Sequence, residues 1–353
     1  MRILQLIDSL DAGGAERMAV NYANAILHTG LPSYMATTRK EGPLRKNLKE
    51  GVGYLFIRKK QRADLSAIFR LRSFCVKNSI THIHAHGSSY FDAVLTKFFL
   101  PKIKIIWHDH NGGRISAGSA NLMVILCSLL FSHVIVVNKD LELWSKKYLF
   151  CKSVWYLPNF IILEEKSSNV KLYGQKSFRI LLLANLRKPK NHKLAVLTAA
   201  LIHAKFPNWS FHFVGNLFGD KYENDVRSLI KKKSLENVVF LYGRVDDVHQ
   251  AIQQSDIGII TSDYEGLPVS LLELGYHGKP VISTRVGDIP NVISHGISGL
   301  LSEPGDEREF ATNVEEMITN INLRKNSGER LKDYIAKYHS EISVISEYIR
   351  IVG

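Results

Sequence analysis

The 353-residue chain is predicted to be an α/β protein with two doubly wound parallel-sheet domains facing each other across a cleft. Three observations predict it. The length exceeds the roughly 250–300 residues that one hydrophobic core serves. Short apolar runs alternate with helical patterns from end to end, the signature of strands joined by crossover helices. The alternation pauses once, between residues 159 and 177, and then restarts.

The strand candidates of the first half are RILQLI, YMATT, YLFI, THIHA, KIIWH and HVIVV. Those of the second half are FRILLLAN, SFHFVG, VVFLYG, IGIIT and KPVIST. The segment between them, NFIILEEKSSNVKLYGQKS, is polar and lacks an apolar period, so it reads as a linker. The expected domains are therefore residues 1–165 and 175–330. A closing helix at 331–353 (Leu331 to Ile351 by pattern) is expected to pack back on the first domain.

Composition narrows the class. The chain is 45% apolar and 22% charged, an ordinary globular balance. Cys75, Cys127 and Cys151 have neither an even count nor metal-ligand spacing, which suits a reduced cytoplasmic setting. MRILQLIDSL reads as a buried strand rather than a signal peptide. The most membrane-like stretch, Ser119 to Val137, contains Asn, His and several Ser and ends in a strand pattern. A spanning helix needs about 20 mostly apolar residues, so this stretch reads as a buried helix followed by a strand.

The net charge of +13 is unevenly placed. Residues 1–170 have 23 Lys and Arg against 12 Asp and Glu, whereas the remainder has 23 against 21. The basic half includes Arg58-Lys59-Lys60-Gln61-Arg62 and the segment KFFLPKIK, where Phe98, Phe99 and Leu100 lie among lysines. Such a surface suits nucleic acid, anionic lipid or a phosphorylated substrate, and composition alone does not choose.

Ligands of open parallel sheets bind at the carboxyl ends of strands, so the chemistry is sought there. The strongest signal runs from Ser262 to Arg285, SDYEGLPVSLLELGYHGKPVISTR. A buried strand ends in a loop holding Asp263 and Glu265. Gly266 allows a tight backbone, and Pro268 occupies the expected first helical position. The amides of Val269 and Ser270 then face outward at the positive end of the helix dipole, a site for phosphate. Glu273 follows one turn later, with no basic residue three or four positions away. A capped helix with solvated carboxylates is the plainer alternative.

The pair Glu265 and Glu273, with GLPVSLL between and GKPVIST after, resembles the donor-binding motif of family-four retaining glycosyltransferases of the GT-B fold, built from two Rossmann-like domains. The resemblance implies that Glu265 binds donor-sugar hydroxyls and Glu273 the ribose. It implies that Gly266, Leu267, Val269 and Ser270 line the diphosphate. LLLANLRKPKNHKLAVLTAA resembles the segment that presents cations to that diphosphate, and Lys190 falls at its lysine. The usual arginine position is Asn185, so Arg187, two residues on, is expected to supply the charge. Departure of a nucleoside diphosphate develops negative charge that fixed donors must stabilise.

DAGGAERMAVNYANAI places Gly13 and Gly14 between a strand and a helix, where backbone can approach a ligand. It lacks the third spaced glycine of a dinucleotide fingerprint, which weighs against a nicotinamide enzyme. The resemblance puts this loop beside the donor phosphates and the acceptor. It also puts Arg244, in LYGR, near the nucleotide base, with a structural turn as the alternative. Pro158-Asn159 matches the Pro-Asn turn at the start of the linker. VGDIPNVISHGISGLL matches a glycine-rich segment in which Asp288 replaces a common second glycine.

THIHAHGSS and IIWHDHNGG put histidines at the ends of two strands. By resemblance, His108 lies near the reacting sugar, flanked by Asp109 and His110. His82, His84 and His86 alternate, so all three project from one strand face and, with His108 and His110, compose an alternative metal site. No carboxylate-rich partner motif accompanies them. A third account makes His82 and His84 structural.

The implied enzyme transfers a sugar from a nucleotide diphosphate donor, UDP-linked, to a hydroxyl with retention, using no metal and no other cofactor. Its expected acceptor is a lipid-linked oligosaccharide at the inner face of the cell membrane, in polysaccharide or capsule biosynthesis. A peripheral contact with anionic lipid would serve it. The alternatives are a non-catalytic sugar-nucleotide-binding subunit and a nucleic-acid-binding protein; the latter explains the charge but none of the motifs.

Overall fold

The computed structural model describes residues 1–11, 13–61, 64–110, 122–162, 170–245 and 248–353. It divides into two units, Met1–Ile162 with Ser340–Gly353, and Leu163–His339.

The first unit runs β1 (Ile3–Ser9), α1 (Gly14–His28), β2 (Ser33–Lys40), β3 (Gly53–Phe56), α2 (Leu65–Lys77), β4 (His82–His86), α3 (Tyr90–Phe99), β5 (Lys104–Asp109), α4 (Leu122–Cys127), β6 (His133–Val136), α5 (Lys139–Tyr148) and β7 (Val154–Tyr156). Its seven strands are ordered β3-β2-β1-β4-β5-β6-β7, and all pairs are parallel. A strand buried on both faces needs apolar residues at nearly every position, which is why HVIVV reads as a continuous run. Ile83, Ala85, Ile105 and Trp107 meet the buried residues of α2, α3, α4 and α5 in one core layer. On the other side, Ile7 and Leu10 pack with Ala19, Val20 and Ala23 of α1.

The second unit runs β8 (Arg179–Leu183), α6 (His192–Lys205), β9 (Ser210–Val214), α7 (Lys221–Lys232), β10 (Val239–Gly243), α8 (Val248–Gln253), β11 (Ile257–Ile260), α9 (Val269–Tyr276), β12 (Val281–Thr284), α10 (Ile289–Val292), β13 (Leu300–Ser302), α11 (Glu307–Thr319) and α12 (Ile321–Tyr338). Six parallel strands are ordered β10-β9-β8-β11-β12-β13. Helix α9 packs on α12 through Gly275, where any side chain would overlap Leu331 and Ile335.

The structure differs from the sequence reading in several places. Strands β7 and β13 have three residues each, too short for a period to show. The tail read as one helix from Leu331 is two. Residues 331–338 continue α12 in the second unit. The chain breaks at His339, Ser340 caps α13 (Glu341–Val352), and only α13 belongs to the first unit. The membrane-like stretch is helix then strand, but α4 is not fully buried: Leu122, Met123 and Leu126 are exposed. Residues 119–121 of that stretch lie outside the described residues, as do Arg62 of the basic cluster and residues 163–169 of the linker. Among the described residues, no helix is long and apolar enough to cross a membrane.

Lys59 also departs from expectation. It is buried and donates to both carboxylate oxygens of Asp92, at 2.6 and 2.7 Å, instead of joining a surface cluster. Burial raises the Asp92 pKa above the usual carboxylate range in spite of the lysine. Removing either partner would strand a charge in the interior, at a cost of about 3–5 kcal/mol.

Candidate active site

In the six-stranded sheet the chain first builds outward from β8 and then returns to lay β11 on its other side. At such a reversal the loops leaving adjacent strands diverge, and a crevice opens beyond their carboxyl ends. Lys190 follows β8 and Glu265 follows β11, so both stand at this point. They form an ion pair. Ser262 Oγ donates to the same Glu265 oxygen, Oε1, at 2.7 Å.

The two loops are fastened to each other by backbone. Thr261 Oγ1 donates to the Lys190 carbonyl at 2.9 Å, and the Asp263 amide donates to the Pro189 carbonyl at 2.9 Å. Asn191, left-handed with φ 46°, caps α6 by accepting from the Leu194 amide and donates from Nδ2 to Asp263 at 2.7 Å. Asparagine tolerates that conformation better than most residues. Neither Asn191 nor Ser262 was singled out from sequence, because each acts through a neighbour about 70 residues away in one case and through a loop turn in the other.

Helix α9 begins at Val269, and Pro268 is its extended N-cap rather than its first helical residue. Pro268 supplies no side-chain cap, and none is made to this end among the described residues. The first amides of a helix have no intrahelical partner, so those of Val269 and Ser270 remain available to an anion. Glu273 lies four residues beyond Val269, on the same helix face. It is not the solvated carboxylate of the plainer alternative: it is 8% exposed. Leu267 is buried, and Gly266 accepts from the Asp288 amide at 2.9 Å. Beside Asp288, the close approach of this loop to the Glu265 segment is made at Gly287. With φ 55°, it lies where a Cβ would overlap the carbonyl oxygens of Glu265 and Gly266. Asp288 itself accepts from Asn291 at 2.6 Å and is buried.

The two outlying cations are less closely gathered. Arg187 is exposed, and its guanidinium lies 4.6 Å from the centre of the Phe218 ring. Asn185, where the motif usually has arginine, accepts from the Asn216 amide at 2.9 Å and so ties the β8 loop to the β9 loop. Arg244 follows β10, two strands from β8, and is exposed.

In the first unit the strand order reverses between β1 and β4. Gly13, after β1, is the extended N-cap of α1, and the Glu16 carboxylate folds over it. Gly14 is exposed, and a Cβ there would meet nothing. Steric need thus explains Gly13 only through a flexible side chain, and Gly14 not at all.

The histidines form a layer on the face covered by α1 and α13. His84 Nε2 lies 3.2 Å from His108 Nδ1, and the rings are parallel within 2°. His86 Nδ1 lies 2.9 Å from His110 Nε2, and His86 Nε2 donates to Gln5 Oε1 at 2.8 Å. The Tyr348 hydroxyl lies 3.1 Å from His84 Nδ1. Tyr22 stands edge-on to His84 and His108. Burial pushes the imidazoles of His84, His86 and His108 well below their ordinary range, and neighbouring histidines add to it. They are neutral at neutral pH. His108 is 1% exposed, and its Nε2 has no hydrogen-bond partner among the described residues. His110 is half-buried and stacks on His108 with centroids 4.0 Å apart.

The alternative metal reading named the right neighbourhood. Nitrogens of His84, His86 and His108 all lie within 4.8 Å of one another. His82 is not among them and bonds Thr81 at 2.8 Å instead. Both nitrogens of His84 and both of His86 already serve hydrogen bonds. An ion would have to displace those bonds, so the layer fits a hydrogen-bonded array better than a coordination shell.

Comparison with known proteins agrees with this architecture. Residues 12–165 match the family model "Glycosyltransferase Family 4", and residues 164–334 match "Glycosyl transferases group 1". N-acetyl-alpha-D-glucosaminyl L-malate synthase of Bacillus anthracis is 32% identical over 123 residues, 35% of this chain and 32% of that protein. The amylovoran biosynthesis glycosyltransferase AmsK of Erwinia amylovora is 28% identical over 177 residues, 47% of this chain and 41% of that protein. These matches span less than half of either relative. The crystal structure of HepE from Anabaena, in complex with UDP and glucose, superposes with a TM-score of 0.84 at 17% identity, covering 99% of this chain and 98% of that one. That likeness shows the GT-B fold.

Proposed function

Because this chain belongs to glycosyltransferase family 4, we propose that it moves a sugar from a nucleoside diphosphate donor to a hydroxyl group, with retention at the anomeric carbon. The observation that carries this reading is the Lys190–Glu265 ion pair at the β8/β11 reversal, beside the uncapped start of α9. An ammonium has three donors, so Lys190 can hold Glu265 and a phosphate oxygen together. Lys190 and Ser262 both bond Oε1 of Glu265, which leaves Oε2 for sugar hydroxyls. The amides of Val269 and Ser270 and the Arg187 guanidinium add to the charge that meets the leaving diphosphate. No metal or cofactor is assigned to this reaction. Glu273 takes the ribose hydroxyls and Arg244 lies toward the base.

The sugar side is assigned to the His108–His110 pair: His110 is half-buried, and His108, 1% exposed with its Nε2 closed to solvent, stacks behind it. Since burial keeps these rings neutral, they act as hydrogen-bonding groups rather than as acids. The acceptor's proton passes to the leaving phosphate on the same face of the sugar.

The UDP and glucose held by HepE support a UDP-linked hexose as the donor, and the amylovoran enzyme supports a role in polysaccharide assembly. We assign a lipid-linked oligosaccharide as the acceptor, reached from the cytoplasmic face of the membrane. Thermal stabilisation by a panel of nucleotide sugars, followed by transfer of radiolabelled sugar from the best binder, tests the reading. Binding without transfer or donor hydrolysis would replace it with the non-catalytic subunit.

A further inference from the structure

Between residues 58 and 104 the chain has ten Lys and Arg but only two carboxylates, Asp64 and Asp92. Neither carboxylate faces outward. Asp64 is buried and accepts from the Lys60 and Ala67 amides as the cap of α2. Asp92 is buried against Lys59. The net charge of this stretch is therefore expressed at the surface almost wholly as cation. Arg58, Lys60, Arg70, Lys77, Lys102 and Lys104 are exposed.

Apolar side chains are exposed among them. Helix α2 turns Ala67, Ile68, Leu71 and Cys75 to the core, yet Leu65, Phe69 and Val76, spaced by four and seven residues, form a second apolar stripe in solvent. A surface helix ordinarily has polar residues there. Phe69 is 48% exposed, and its ring meets that of Phe99 on α3 at 5.0 Å. Phe98, beside it, is 67% exposed. Helix α4 packs on α3 and exposes Leu122, Met123 and Leu126. A surface cavity of about 590 Å³ lies along α2, with Leu55, Phe69 and Phe74 as apolar wall and Arg70 and Lys77 as cationic lining.

We propose that the outward faces of α2, α3 and α4 are the surface by which this protein docks on an anionic lipid bilayer. The charge is complementary to phosphate headgroups, and the exposed rings and aliphatic chains reach the depth where headgroup meets acyl chain. A nucleic acid would satisfy the cations but offers nothing to Leu65, Val76, Leu122 or Leu126. Lys59 and the half-buried Leu100 take no part, which corrects the patch that composition suggests. The inference deepens, and rests on, the reading of the acceptor as membrane-borne.

The test uses the full chain with phosphatidylcholine vesicles, with and without phosphatidylglycerol. The protein is expected to co-sediment with the anionic vesicles at low salt, to be released as salt rises, and to ignore the neutral ones. Phe69→Ser with Phe98→Ser should lower partitioning at least about tenfold, and Lys77→Ala with Lys102→Ala by about fivefold per cation. All four side chains are exposed, so thermal unfolding should be unchanged, as should UDP binding. Failure of the wild type to bind anionic vesicles, or equal binding by both double variants, would overturn the proposal. So would binding to random RNA that survives Phe69→Ser with Phe98→Ser while vesicle binding is absent. A wild type that docks but transfers no sugar would instead sink the enzymatic reading and leave the docking surface standing.

Discussion

The Tyr348 hydroxyl lies 3.1 Å from Nδ1 of His84, which joins the last helix of the chain to a strand 264 residues earlier. His84 in turn reaches Nδ1 of His108 through its other nitrogen. A neutral imidazole has one donor and one acceptor. The orientation of a single hydroxyl therefore sets the tautomer of both rings, and with it whether His108 Nε2 offers a proton or a lone pair.

Tyr348→Phe should lower turnover while nucleotide affinity stays near wild type, and nitrogen-detected NMR should show His108 as a mixture of tautomers. His108→Ala should abolish most turnover and also lower the melting temperature, because a fully buried ring leaves a cavity. By analogy with other large-to-small core changes the cost is about 2–4 kcal/mol. His110→Ala, at a half-buried position, should lower the melting temperature less, through loss of its hydrogen bond to His86. If His108→Asn stays active and His110→Ala does not, the sugar contact belongs to His110.

The two glutamates should separate kinetically. Glu273→Ala is expected to weaken UDP binding at least about tenfold, in line with the loss of a charge-assisted hydrogen bond of roughly 1.5–3 kcal/mol. Glu265→Ala should still bind UDP but lose turnover, since both the sugar contact and the anchor of Lys190 disappear. Equal UDP affinity in wild type and both variants would make the assignment of Glu273 wrong.

Chelation bears on the leaving group. With Lys190, Arg187 and the α9 amides supplying positive charge, transfer should continue in EDTA. Complete loss of activity, restored by manganese or magnesium, would return the His84, His86 and His108 cluster to consideration as a metal site.

Acid should destabilise both units. Burial lowers the folded-state pKa of His82 and His192 to about 4 and of His212 to about 3, against an ordinary 6.5, and holds those of His84, His86 and His108 well below it. The unfolded chain then binds protons before the folded one does. Stability is therefore fully present above about pH 6.5 and falls continuously below it, by up to about 1.4 kcal/mol per histidine per pH unit. Urea midpoints measured from pH 7.5 to 4.5 should trace this slope, and His212→Gln should reduce it by close to one proton. A flat profile down to pH 5 would contradict the buried neutral layer.

Much of the candidate site in the second unit was legible because its signals are local. Glu265, Pro268, Val269 and Glu273 lie within nine consecutive residues, where strand end, tight loop and helix start follow one another in order. Lys190 is legible the same way, as the end of a strand–loop–helix. The alternation of His82, His84 and His86 also announced a shared strand face. It did not say that His82 would stand apart from the group, bonded to Thr81.

The sequence by itself determined the two parallel-sheet units, the strand ends at which the candidate site lies, and the basic character of the first half. Each is written in periodicity, spacing or charge over a few neighbouring residues, and backbone hydrogen bonding turns these directly into strands and helices. Only the tertiary structure decided that Lys190 meets Glu265, that Tyr348 orients His84, that Lys59 is buried on Asp92, and that Phe69 and Phe99 share one exposed face. Those pairs are brought together by strand order and helix packing. A partner chosen across 30 to 264 residues leaves no mark in the local pattern of either segment.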